Sequence, residues 1–175
     1  MDLSGAAATV PEPVDTSQKT YWGPRVWTLF HSLAEISDRR DMVMLWNNLM
    51  RFTAAVMPCD QCRTHLAAYM RSHVFVRFSK IHLVTGEMVK ARAVAELFVL
   101  HNEVNARLGK PAFTSTDMAI YRKPRAEVMA TIHKVYEEIK AAWAPLVHTR
   151  INAAAFNDWK KHVNMMIALA SGGPN

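Results

Sequence analysis

From Tyr21 onward the apolar residues of this chain recur at intervals of three and four, a period that only helices satisfy over such lengths. Trp22, Val26, Trp27, Phe30, Leu33 and Ala34 share one face of a first helix, with Pro24 tolerated in its opening turn. Met42, Leu45, Leu49, Phe52 and Val56 step along a second, which Pro58 stops. A third begins near Cys59 and runs through Leu66 and Tyr69. The least helical stretch, residues 74–90, predicts short extended pieces at Val74–Val76 and Ile81–Val84 and a turn at Thr85-Gly86. Helix resumes from Ala91 to Leu108 and ends at Gly109 and Pro111, with a short helical turn at residues 117–121. The stripes Val128, Ile132, Val135, Ile139, Ala142 and Ile151, Ala155, Trp159, Val163, Met166, Ala170 predict two more helices, broken at Pro145. No internal repeat is present. The expected class is all-α: a compact bundle of four to five helices with a C-terminal helical extension.

Three regions follow. Residues 1–20, with Pro11-Glu12-Pro13 and the polar run Thr16 to Lys19, read as a flexible N-terminal arm. Residues 21–123 form the main domain, and 124–175 the extension. Half of the 175 residues are hydrophobic and 21% are charged, an ordinary globular balance that excludes disorder of the whole chain. No apolar run reaches the roughly 20 residues that span a bilayer, so no membrane partner is expected. Twenty-one basic against fifteen acidic residues leave a net charge of +6. The basic groups are scattered in short clusters such as Arg122-Lys123 and Lys160-Lys161, which fits a solvated surface better than a nucleic-acid footprint.

Only two cysteines occur, Cys59 and Cys62. A secreted disulfide scaffold needs more, and the N-terminal residues lack the basic start and apolar core of a secretory signal. The expected location is therefore cytoplasmic, where other thiols stay reduced. A spacing of three lets both sulfurs share one helical turn, and a helix amino end stabilises a thiolate. The pair alone also fits half of a zinc site or two buried thiols. Zinc asks for about four ligands, and neither another Cys nor a flanking HxxxH supplies them, so no metal is expected.

Two further clusters carry chemistry. Trp22-Gly23-Pro24-Arg25-Val26-Trp27 is followed by His31, which shares a helix face with Trp27. His101-Asn102-Glu103-Val104-Asn105 leads into Leu108-Gly109-Lys110-Pro111, a polar, planar and cationic set suited to an aromatic ring system and its phosphates. Each could equally be core aromatics and solvent-facing polar groups.

Taken in order, WGPxxWxxxH, PCxxC and HNxVNxxLGKP resemble the Erv/ALR-type FAD-linked sulfhydryl oxidases over about residues 20–122. The Cys62-Arg63-Thr64-His65 continuation and the short WGP opening are most similar to versions carried by large cytoplasmic DNA viruses. The resemblance implies a bundle holding FAD, usually a homodimer through its first helices. It implies Cys62 as the flavin-proximal and Cys59 as the substrate-facing cysteine, with Gly23, Trp27, His31, His101, Asn102, Asn105, Lys110 and Tyr121 contacting FAD. It further implies oxidation of thiols in a protein substrate, or in a separate redox carrier protein, with electrons passed to O2 to give H2O2. A viral protein of this kind would act in the host cytoplasm or be packaged in the virion.

The chain departs from the family pattern in places. Phe98 and Ser115 stand where many members have a structural disulfide, Met57 stands where cellular members often have Tyr, and no second cysteine pair exists to shuttle electrons. Residues 125–175 have no counterpart in the minimal family domain. The competing expectation is a structural or adaptor protein that keeps the oxidase fold without turnover.

Overall fold

The computed structural model describes residues 14–172, so most of the expected N-terminal arm lies outside the described residues. Among the described residues seven α-helices follow one another: α1 (Lys19–Glu35), α2 (Met42–Val56), α3 (Asp60–Ser72), α4 (Gly86–Arg107), α5 (Ser115–Ala119), α6 (Arg125–Trp143) and α7 (Ala153–Ser171). The all-α expectation holds, and no strand occurs among the described residues. Helix α1 begins two residues ahead of Tyr21, which moves Pro24 out of the first turn and removes the bond that its N–H would have given to the Thr20 carbonyl.

Between α3 and α4 the expected extended pieces do not form. Phe75 and Val76 are buried, but the Asn47 side chain takes their backbone: its Nδ2 donates to the Val76 carbonyl at 3.0 Å. Ile81–Leu83 is a single 3-10 turn. Thr85 is the N-cap of α4, its hydroxyl accepting from the Met88 N–H at 3.3 Å, so Thr85-Gly86 starts a helix five residues before Ala91. Gly86 is required there: a Cβ would sit 1.8 Å from the Asp38 carbonyl oxygen.

The C-terminal helices are built into the core rather than appended to it. Helix α1 lies between α4 and α6, and α2 lies between α3 and α7. One continuous apolar cluster runs from Trp22 to Ala170. Trp22 meets Trp143 edge-on at 5.7 Å, and Trp143 packs on Trp159 at 5.0 Å. Polar ties reinforce the seam: Arg25 on α1 pairs with Glu138 on α6 at 2.8 Å, and Arg125 pairs with Asp38 at 2.7 Å. His162 Nε2 lies 2.8 Å from the Leu45 carbonyl, joining α7 to α2. Burial of an aromatic or branched side chain stabilises by about 1.5–3 kcal/mol, so α6 and α7 contribute a large share of the fold's stability.

Candidate active site

Helix α3 opens directly on the cysteine pair. Pro58 ends the preceding segment, and Cys59 caps the helix, its Sγ accepting from the Cys62 N–H at 3.2 Å. The two cysteines form a disulfide, with their Cα atoms 5.2 Å apart. Both are half-buried, but they face differently: Cys62 lines a cavity of about 820 Å³, and Cys59 does not.

The cavity is bounded by α1, α3 and the end of α4, and the turn that ends α4 shapes its rim. Gly109 adopts φ +64°, Lys110 N–H returns to the Asn105 carbonyl at 2.9 Å, and Gly109 N–H returns to Ala106. This left-handed helix stop, which glycine adopts without steric cost, sends residues 110–114 back along α4. Asn102 then clamps the returning strand of chain. Its Nδ2 donates to the Phe113 carbonyl at 3.0 Å, and its Oδ1 accepts from the Phe113 N–H at 2.7 Å. Asn105 Nδ2 donates to the Pro111 carbonyl at 3.0 Å.

A wall of stacked rings results. Trp27 lies against His101 at 3.9 Å with the planes 5° apart, and Phe113 covers His101 at 4.2 Å. Behind them His31 stacks on Tyr121 at 4.8 Å, and its Nε2 lies 3.0 Å from His101 Nδ1. Burial pushes both imidazoles toward neutrality. His31 is lowered to about 3, first by desolvation and then by His101. His101 is lowered to about 4, chiefly by desolvation, with Asp117 opposing. The two rings are thus neutral at pH 7, sharing one proton between facing nitrogens. Burial also raises the Tyr121 hydroxyl above its ordinary range.

Of the residues singled out from sequence, Gly23, Trp27, His101, Asn105, Lys110, Tyr121 and Cys62 line the cavity. His31 and Asn102 are not on its wall; they act from behind, one supporting a ring and the other fastening a loop. Sequence reasoning missed Phe113, whose place depends on the Gly109 turn, and the cavity-lining Leu66 and Tyr69; His65, named there with the cysteine pair, lines the cavity as well. Leu66 and Tyr69 follow Cys62 at helical spacing, a signal that was available.

A family model described as Erv1 / Alr matches residues 24–124. The chain belongs to the Erv1/Alr family. It is also 27% identical over 93 residues to 347L of Invertebrate iridescent virus 6, a protein whose name assigns it provisionally to the FAD-linked sulfhydryl oxidases. That match covers 51% of this chain and 81% of the viral protein. No solved structure matches the chain. Membership in the Erv1/Alr family makes the chain a flavin-linked thiol oxidase, with FAD as its cofactor. The cavity fits that group: its volume lies within the range of cofactor sites, its wall offers flat aromatic faces, and Lys110 supplies a cation at the rim. Among the described residues no cluster of His, Cys, Asp or Glu could hold a metal ion, and no helix is long and apolar enough to cross a membrane.

Proposed function

We propose that the chain converts pairs of protein thiols to disulfides through Cys59–Cys62 and delivers the electrons by way of FAD to O2, giving H2O2. The observation that carries this reading is the division of the cysteine pair between two environments, with Cys62 on the cavity wall and Cys59 off it. A substrate thiolate attacks the Cys59 sulfur and the Cys59–Cys62 bond breaks, leaving a mixed disulfide and a Cys62 thiolate. The second substrate thiol resolves the mixed disulfide, and Cys59 leaves reduced. Two electrons and two protons then remain to be removed from the pair, and O2 accepts them. FAD supplies the two-electron relay when bound.

The residues of the chain position this exchange. The Cys62 N–H points at Cys59 Sγ, and the start of α3 carries the positive end of the helix dipole, so both favour thiolate at the pair. Trp27 offers a ring face backed by His101, and Lys110 offers a donor at the rim beside Asn105. The neutral His31–His101 pair places no positive charge in the wall at pH 7. A two-chain assembly, if formed, would use surfaces other than the α1–α6 and α2–α7 seams, which are filled within one chain. The single redox pair supports action where other thiols are kept reduced.

The test is the purified protein itself. It should be yellow with one FAD per chain, and it should oxidise dithiothreitol with release of peroxide. Cys59→Ser should retain the flavin and show a long-wavelength band from Cys62 thiolate, whereas Cys62→Ser should lack both band and turnover. A band in Cys62→Ser instead would reverse the two roles, and a colourless protein from riboflavin-replete cells would refute the oxidase reading.

A further inference from the structure

The turn that joins α6 to α7 is fastened to the start of the redox helix by one side chain. Arg63, next after Cys62, donates from Nη1 to the Met57 carbonyl at 3.1 Å and to the Arg150 carbonyl at 3.0 Å. Its Nη2 lies on the Asp60 carboxylate. Met57 is two residues before Cys59, and Arg150 is 87 residues after Arg63. One guanidinium therefore holds together the approach to the cysteine pair and a distant loop.

That loop has a defined shape. The Arg150 and Ile151 N–H groups both return to the Leu146 carbonyl, at 2.9 and 3.0 Å, and His148 N–H donates to the Ile151 carbonyl at 2.9 Å. His148 takes φ +71°, a costly conformation for a residue with a side chain, which the surrounding bonds enforce. Ile151 is buried and anchors the turn, whereas His148, Thr149 and Arg150 are all exposed. The family match ends at residue 124, so this turn lies outside it.

We propose that His148–Arg150 is part of the surface that receives the thiol-bearing polypeptide at Cys59, that Arg63 is the positioning residue holding it there, and that the favoured partner carries carboxylates beside its cysteines. The inference rests on the thiol-oxidase reading above. Three observations carry it. The turn is tied to the segment that leads into Cys59. Its side chains face solvent, and Cys59, unlike Cys62, is directed away from the cavity. Arg150 carries its positive charge on an exposed side chain of this turn, while its backbone carbonyl is what Arg63 holds, so the turn can meet a carboxylate of an incoming polypeptide. Rim charges of this kind act on encounter and selectivity rather than on the chemistry that follows.

The experiment uses the full-length, FAD-loaded protein and three probes: dithiothreitol, and two peptides bearing a reduced Cys-x-x-Cys flanked by aspartates or by lysines. Wild type should oxidise the aspartate peptide with the lower KM. Arg150→Glu should lower kcat/KM for the aspartate peptide by about tenfold through KM and favour the lysine peptide, read against dithiothreitol as the internal reference. Arg63→Ala should erase the preference, and Arg63→Lys, whose one ammonium can meet the carbonyls but lacks the second nitrogen that braces the side chain on Asp60, should restore only part of it. Equal effects on all three probes, or none, in Arg150→Glu would overturn the proposal. Because that variant changes only an exposed side chain, the test survives if Arg63→Ala fails to fold. Wild type inert toward dithiothreitol would remove the oxidase reading and this inference with it; activity on dithiothreitol without peptide preference removes this inference alone.

Discussion

Trp159 donates its indole N–H to the hydroxyl of Thr53 at 3.1 Å, across 106 residues, with both side chains fully buried. Thr53 in turn donates to the Leu49 carbonyl at 2.8 Å, so the last helix is hydrogen-bonded into the final turn of α2. Trp159→Ala should therefore cost about 3–5 kcal/mol, the usual range for removing a buried aromatic ring. Urea denaturation followed by circular dichroism measures it, and a loss below 1 kcal/mol would mean α7 is only loosely docked. Deletion after Lys123 should go further: the shortened chain should lose its cooperative transition or self-associate, because the α1 and α2 faces that α6 and α7 cover would meet water.

A second expectation concerns the loop over His101. Asn102 and Asn105 spend their side chains on the Phe113 and Pro111 backbone, through two half-buried bonds and one exposed one, and a hydrogen bond of this kind contributes about 0.5–1.5 kcal/mol. The double change Asn102→Ala, Asn105→Ala should release residues 110–114, bare one face of His101, and weaken FAD by about tenfold or more, since 1.4 kcal/mol is a factor of ten. Helical content should be unchanged. FAD affinity equal to wild type, measured by equilibrium dialysis, would show that the ring wall stands without its clamp.

The two wall histidines make stability depend on pH with a definite sign. In the unfolded chain each takes up a proton near 6.5, but in the folded protein His31 resists to about 3 and His101 to about 4. The unfolded state thus binds more protons across that window, so stability is full above 6.5, declines as pH falls through it, and levels off below the folded values. Denaturation midpoints of the flavin-free protein should follow this curve. His31→Gln should flatten it; a slope unchanged in that variant would assign the acid sensitivity elsewhere.

Gly86→Ala sets two effects against each other. Helix propensity favours alanine by about 1 kcal/mol at most. The added methyl would lie 1.8 Å from the Asp38 carbonyl oxygen, on a loop whose Asp38 side chain also holds Arg125 of α6. The clash should win, with a net loss of about 1–3 kcal/mol typical of overpacking. A variant that melts higher than wild type would show that this loop yields freely.

The helical period made α2 legible to the residue and placed α3 at the cysteine pair, because those signals are local. The destination of the C-terminal stripes was not legible. Val128 to Ala142 shows that a face needs covering, and nothing within that stretch says that α1 will cover it. The roles of Asn102 and His31 were hidden for the same reason: a loop clamp and a ring support exist only once the Gly109 turn has brought Phe113 back over His101. At Val74–Val76 local β propensity was overruled by one distant side chain, Asn47.

The α1–α6 seam also bears on how the chain is made. Arg25 and Glu138, which pair across it, are separated by 113 residues. During synthesis α1 therefore leaves the ribosome long before the helix that shields it exists, at a few to twenty residues per second. Pairings so far apart in sequence slow folding, since the intervening loop must close first. The cysteine pair, about a third of the way along these 175 residues, thus emerges while Trp22 and its neighbours still lack their cover. Production of this protein should accordingly depend more on chaperone capacity and slow translation than its modest size suggests.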